Sequence, residues 1–137
     1  MEYDDIEDPL PFDKSAELIE IEDRDYALWY RDLSEELSSY DHKTVKFKGQ
    51  VVIDGSIPKD CFIVGRPIMT CCVDDIKFGG LVCEWSRCEG LCNRTWVSVT
   101  AKISVRKHPC YGRIGPVLSG IEVVSVEPVE EPVATFY

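Results

Sequence analysis

The chain has 137 residues, 45% of them apolar and seven of them cysteine, which is enough sequence for one domain with a core that needs no staples. Its formal net charge is −10, but the excess is local: residues 1–37 hold 14 acidic and 3 basic side chains, while 38–137 hold 11 and 12. An acidic front end with no concentrated basic patch behind it lacks the electrostatic term that supplies most nucleic-acid affinity, so a polyanion partner is disfavoured. An odd cysteine count leaves at least one thiol outside any intramolecular disulfide, and the Met1 end carries no signal peptide. No apolar run reaches membrane-spanning length, because the strongest, 96–105, alternates with Ser98, Thr100, Lys102 and Ser104. A soluble, cytoplasmic chain with reduced thiols is the expectation.

In chain order, residues 1–16 read as an acidic, solvated leader and 17–137 as a single domain. Leu18, Ile19 and Ile21 among glutamates form a short entry strand. A helix over about 24–38 follows, with Asp23 or Asp25 as its cap. Tyr26, Trp29, Tyr30, Leu33 and Leu37 recur at three- and four-residue steps, opposite Arg31, Asp32, Glu35 and Glu36. After 38–42 the period changes to two, with Val45, Phe47, Val51 and Ile53 alternating with Lys46, Lys48 and Gln50, and Gly49 marking a bend. A second strand spans 61–70 and is interrupted by Gly65 and Pro67. Gly79 and Gly80 precede a third at 81–85. The fourth is the clearest, with Val97, Val99, Ala101, Ile103 and Val105 on one face, and the fifth runs over 117–126.

Five such strands, several with glycine inside or beside them, favour closure, because a closed barrel has no exposed edges. The fold class is therefore mainly β: a five-stranded OB-like barrel with an N-terminal helix packed on it. The segment 86–94, where that fold often places a helix, is short and contains Gly90. An open α+β sheet is the other arrangement the pattern allows.

Chemistry concentrates in the run Arg66-Pro-Ile-Met-Thr-Cys-Cys-Val-Asp-Asp75, where two soft thiols meet two carboxylates. Adjacent cysteines do not readily pair with each other, and a turn at 70–73 would let Cys71 and Cys72 face one ion. A zinc-like ion takes three or four thiolate, imidazole or carboxylate ligands at about 2.0–2.3 Å. The candidate ligands are Cys71, Cys72, Asp75, Cys88 and Cys92, with Arg66 and Asp74 as ligand-binding residues; the 83–92 segment adds thiols at spacings broader than a zinc knuckle. Arg66 is also a candidate partner for Asp75. Cys61 and Cys83, each inside a strand, read as core packing. His42 reads as loop, and His108, in the turn between strands four and five, as a solvent-exposed histidine.

A purely structural or regulatory interaction domain with core cysteines is the alternative. Single-stranded nucleic-acid binding ranks third: Lys46, Lys48, Lys102, Arg106 and Lys107 are available, without an aromatic platform. No Ser/His/Asp order, phosphate loop or HExxH pair is present, so the chain is expected not to be an enzyme.

The order of Ile19-Glu-Ile-Glu-Asp23, an aromatic helix, Val45-Lys-Phe-Lys-Gly-Gln-Val51, the run 62–76 and a tail over 128–137 resembles the soluble carboxy-terminal domain of a bacterial two-component permease-subunit family. The most specific part is Arg-x4-Cys-Cys-x2-Asp at Arg66, Cys71, Cys72 and Asp75. The resemblance implies an OB-like domain of unknown biochemical activity, with a membrane permease as partner. The chain departs from it by lacking membrane helices, so an excised domain or a free-standing relative is expected. It also departs in carrying Asp74, where alanine is commoner, and in its additional Cys83, Cys88, Cys92 and Cys110.

Overall fold

The computed structural model describes residues 12–13, 15–53, 55–69, 76–129 and 132–135. The first eleven residues of the expected leader fall outside them. Strand β1, Leu18–Glu20, buries Ile19 and pairs in parallel with β2, Thr44–Val52. Between them lies α1, Tyr26–Glu35, flanked by 3-10 turns at Asp23–Asp25 and Leu37–Tyr40. The helical span matches the expected one, but its central turns alone are α. Asp25 stands at the cap position without a side-chain cap bond, and the Asp23 carboxylate goes to Arg66 instead.

The expected apolar stripe is the buried face. Tyr26, Trp29 and Leu33 are fully buried, and the Trp29 ring packs 5.0 Å from Phe47 of β2. Each such ring contributes on the order of 2–3 kcal/mol by leaving water. The Tyr26 hydroxyl donates to the Gly79 carbonyl at 2.7 Å, which satisfies its polar end inside the core.

The remaining strands are β3, Cys61–Met69; β4, Lys77–Glu84; β5, Trp96–His108; β6, Arg113–Ser125; and β7, Ala134–Thr135. One sheet of order β1-β2-β5-β6-β4-β3-β7 closes through an additional β2–β3 pairing, so five strands, β2 to β6, form a barrel. All pairings around it are antiparallel except β4–β6, which is parallel over Val82–Glu84 and Val117–Ser119. This is the OB-like arrangement expected from the strand count.

Strand β2 performs the closure. It pairs with β5 over Thr44–Gln50 and with β3 over Gln50–Val52. The changeover falls beside Gly49, where a Cβ would meet Val64 Cγ2 at 2.9 Å and Gly65 N at 3.1 Å. The ladder to β5 runs through Gly49 without a register shift, and what the glycine permits there is the close approach of β3. The irregularity in pairing lies elsewhere, between Thr100 and Ala101 of β5. Pro67 does not break β3, because it sits past the last β2 partner and before β7 joins at Ile68, where no ladder donor is required on that side. The 86–94 segment holds only a 3-10 turn at Cys88–Gly90.

Candidate metal centre

Of the residues singled out from the sequence, Cys71, Cys72, Asp74 and Asp75 lie outside the described residues. Cys88 is buried in its 3-10 turn and shares a small hollow of about 220 Å³ with Cys61, Asp60 and Ile57. Cys92 is exposed. Arg66 is on β3 with its side chain 2% exposed and pairs with Asp23 Oδ1 at 3.2 Å. The same guanidinium donates to the carbonyls of Asp23 and Pro132 and lies between the rings of Tyr26 and Trp96, 5.9 and 5.5 Å from their centres.

A different set of residues converges. Cys61 opens β3 and Glu84 closes β4, directly opposite each other in the antiparallel ladder, so their side chains share a face. His108 is the last residue of β5. One ligand atom from each lies within 4.8 Å of the other two. His108 Nε2 is 3.4 Å from Glu84 Oε2 and 3.9 Å from Cys61 Sγ. The other carboxylate oxygen of Glu84 is held by Arg106 in a short ion pair.

The expectation of an exposed loop histidine is overturned: His108 is 3% exposed and belongs to the strand. The reason is the hairpin tip. Tyr111 folds back onto Gly115, where a Cβ would meet its Cδ2 at 2.8 Å, and its hydroxyl donates to the Pro116 carbonyl at 2.6 Å while accepting the Val82 amide at 3.0 Å. The His108 carbonyl accepts the amides of Tyr111 and Gly112, with Gly112 at φ 68°. The imidazole is thereby pinned beside β4.

Its protonation follows from its neighbours. The Cys110 amide donates to Nδ1 at 3.1 Å, so the neutral ring carries its proton on Nε2 and presents it to Glu84. Burial, and next the Glu84 carboxylate, push the Cys61 thiol up. A nucleophilic relay needs the thiol on one ring nitrogen and the orienting acceptor on the other. Here Cys61 and Glu84 share Nε2, which is the geometry of convergent ligands.

In β5 the odd positions are buried from Val97 through Ile103, Val105 is only half-buried, and burial returns at His108, a change of face that the residue pattern itself does not show. Cys61 and Glu84 become neighbours only through the β3–β4 register, which no local pattern encodes.

Lys46, Lys48 and Lys102 lie exposed on β2 and β5, where their cross-strand partners are Thr100, Ser98 and Thr44.

Residues 3–136 match the family model described as DUF1980 C-terminal domain. None of the curated proteins compared matches the chain significantly. Among solved structures, the S. pombe Stn1–Ten1 complex is similar at 12% identity with a TM-score of 0.43, over 89% of this chain and 86% of that one. A protein described as an aspartyl-tRNA synthetase from Leishmania major is similar at 12% identity with a TM-score of 0.46, over 82% of this chain and 21% of that one. At these scores neither likeness carries an argument about function.

Proposed function

For a chain that belongs to the DUF1980 C-terminal domain family, a domain of unknown function, we propose a non-catalytic module that binds a zinc-class divalent ion through Cys61, Glu84 and His108. The observation that carries this reading is the convergence of a thiol, a carboxylate and an imidazole, supplied by three different strands, within 4.8 Å. A tetrahedral ion with ligands at about 2.0–2.3 Å sets its donor atoms about 3.5 Å apart. Two of the observed separations, 3.4 and 3.9 Å, are close to that, and the third, Cys61 to Glu84, lies within 4.8 Å. A soft thiolate with an imidazole selects zinc-like ions over magnesium or calcium.

Occupancy has a chemical requirement. Nε2 must lose its proton to become a ligand, and the neutral ring then carries it on Nδ1, facing the Cys110 amide. The ion must displace the Cys61 thiol proton as well. The membrane-permease partner implied by the sequence resemblance is the proposed recipient or source of the ion; support for it rests on that resemblance alone.

The test is elemental analysis of protein purified without chelator or affinity metal, beside Cys61→Ser and a Cys71→Ser/Cys72→Ser double variant. About one equivalent of zinc in the parent and the double variant, absent from folded Cys61→Ser, is the expected result. A metal-free parent that also takes up no added zinc would sink the proposal. Loss in the double variant alone would move the site to Cys71 and Cys72.

A further inference from the structure

Glu84 meets a different residue with each of its carboxylate oxygens. Oε2 lies 3.4 Å from His108 Nε2, and Oε1 is paired with Arg106 Nη2. Arg106 and His108 are two residues apart on β5 and so stand on the same face of that strand. One face of β5 therefore grips both oxygens of a carboxylate presented by the end of β4. Cys61 faces Glu84 across the β3–β4 ladder, and its sulfur lies 3.9 Å from the same Nε2 that Oε2 approaches. The cluster is built on Oε2, while Oε1 is committed to the guanidinium.

That commitment decides how the carboxylate meets an ion. With Oε1 held elsewhere, Glu84 binds through one oxygen, and with a thiolate and an imidazole this suits a small ion that takes four ligands in all. A carboxylate free at both oxygens can chelate, which suits larger ions surrounded by more ligands. Zinc and cadmium share the preference for thiolate and imidazole, and cadmium is the larger, so the two differ in what they need from Glu84.

Resting on the metal reading above, we infer that Arg106 is a positioning residue that sets which ion the site takes: by holding Glu84 Oε1 it limits the carboxylate to one bond and shifts the preference from a cadmium-sized to a zinc-sized ion. Its charge acts in the opposite sense on affinity, because a guanidinium beside the site repels every divalent ion to about the same degree. Absolute affinity therefore mixes two opposed effects, whereas the ratio of zinc to cadmium affinity cancels the charge and keeps the geometry. Folding is little affected. The side-chain surfaces of Arg106 and Glu84 are 44% and 37% exposed, and ion pairs so exposed contribute little to stability.

Competition titration of zinc against cadmium on the whole chain tests this in the parent, Arg106→Gln, Arg106→Lys and Lys107→Gln. Lys107 is the control: it lies exposed on the opposite face of β5, and its substitution removes the same charge. The zinc-to-cadmium affinity ratio should fall about 10-fold in Arg106→Gln, at the lower end of the range for losing a partner of a metal-binding side chain. It should fall less in Arg106→Lys, which keeps a charged donor but not the planar fork, and stay at the parent value in Lys107→Gln. X-ray absorption should count one more oxygen around cadmium in Arg106→Gln than in the parent. An unchanged ratio or an unchanged oxygen count in Arg106→Gln, with zinc still bound, overturns this inference and leaves the metal reading standing. An equal fall in Lys107→Gln assigns the effect to charge and also overturns it. A parent that takes up neither ion overturns the metal reading and this inference with it.

Discussion

Arg66 holds three separate pieces of the chain together from inside the protein. Its guanidinium reaches the Asp23 carboxylate and carbonyl ahead of α1 and the Pro132 carbonyl ahead of β7, while the rings of Tyr26 and Trp96 cover its faces. Burial pushes its pKa down and Asp23 pushes it back up. The planar fork matters here, since a lysine would present one charged point where three acceptors wait. Arg66→Ala leaves those acceptors unpaired and opens a cavity. Breaking a buried pair costs about 3–5 kcal/mol, and with Asp23 43% exposed on its side-chain surface the lower end applies. Urea unfolding should show a loss of about 3 kcal/mol for Arg66→Ala and a smaller one for Arg66→Met, which keeps the volume. Equal losses in the two variants would show that the polar contacts alone set the cost, and an Arg66→Met as stable as the parent that packing alone holds the site. The sequence marked Arg66 as noteworthy and offered Asp75, which lies outside the described residues, as its partner. Asp23 is 43 residues away and becomes a neighbour only when α1 docks.

Among the elements, the β3–β4 pair shows why glycine stands inside strands. Gly65 faces Gly80 across the ladder, and a Cβ on Gly65 would come within 2.6 Å of the Gly80 Cα, backbone against backbone. No rotamer change relieves that contact. Gly65→Ala should therefore force β3 from β4 and destabilise by about 3 kcal/mol or more, read as a lowered urea midpoint. Gly55→Ala is the control, because nothing lies within 4 Å of its added Cβ; a Gly65→Ala midpoint equal to that of the control would refute the argument. From the sequence these glycines looked like interruptions of strands. In the fold they are what lets two strands of a narrow barrel approach, and β4 accordingly begins at Lys77, four residues before the expected start at Leu81.

For the whole molecule, two neutral groups tie stability to high pH. Burial pushes the Cys83 thiol from 9.0 to about 12. It also pushes the Tyr111 phenol from 10.0 to about 12, against the lowering effect of the Val82 amide. Each group holds its proton more tightly folded than unfolded, so its stabilisation is complete below the unfolded pKa and is lost as pH rises toward about 12. At 1.36 kcal/mol per unit, Cys83 alone accounts for about 4 kcal/mol across that window. Urea midpoints should be flat from pH 7 to 9 and fall steeply above, and Cys83→Ala should flatten the thiol's part of the fall. A midpoint constant to pH 11 in the parent would contradict this. Among the described residues no helix is long and apolar enough to cross a membrane.

Local patterns by themselves determined the elements of that core. The period-two burial of Val45, Phe47 and Val51, that of Val97 through Ile103, and the helical stripe of Tyr26, Trp29 and Leu33 all appear where the alternation placed them, because each reflects only which face of a short segment is apolar. Strand number and glycine content favoured closure into an OB-like barrel without excluding an open α+β sheet, and the β2–β3 pairing decided it. Tertiary structure alone decided the candidate site. Cys61 was indistinguishable from a core cysteine and His108 from a loop residue until the β3–β4 register set Cys61 against Glu84 and the anchored hairpin tip turned the imidazole onto both. Contacts between residues 47 positions apart are set by strand register and chain reversal, which depend on the whole barrel closing and leave no trace in any local window.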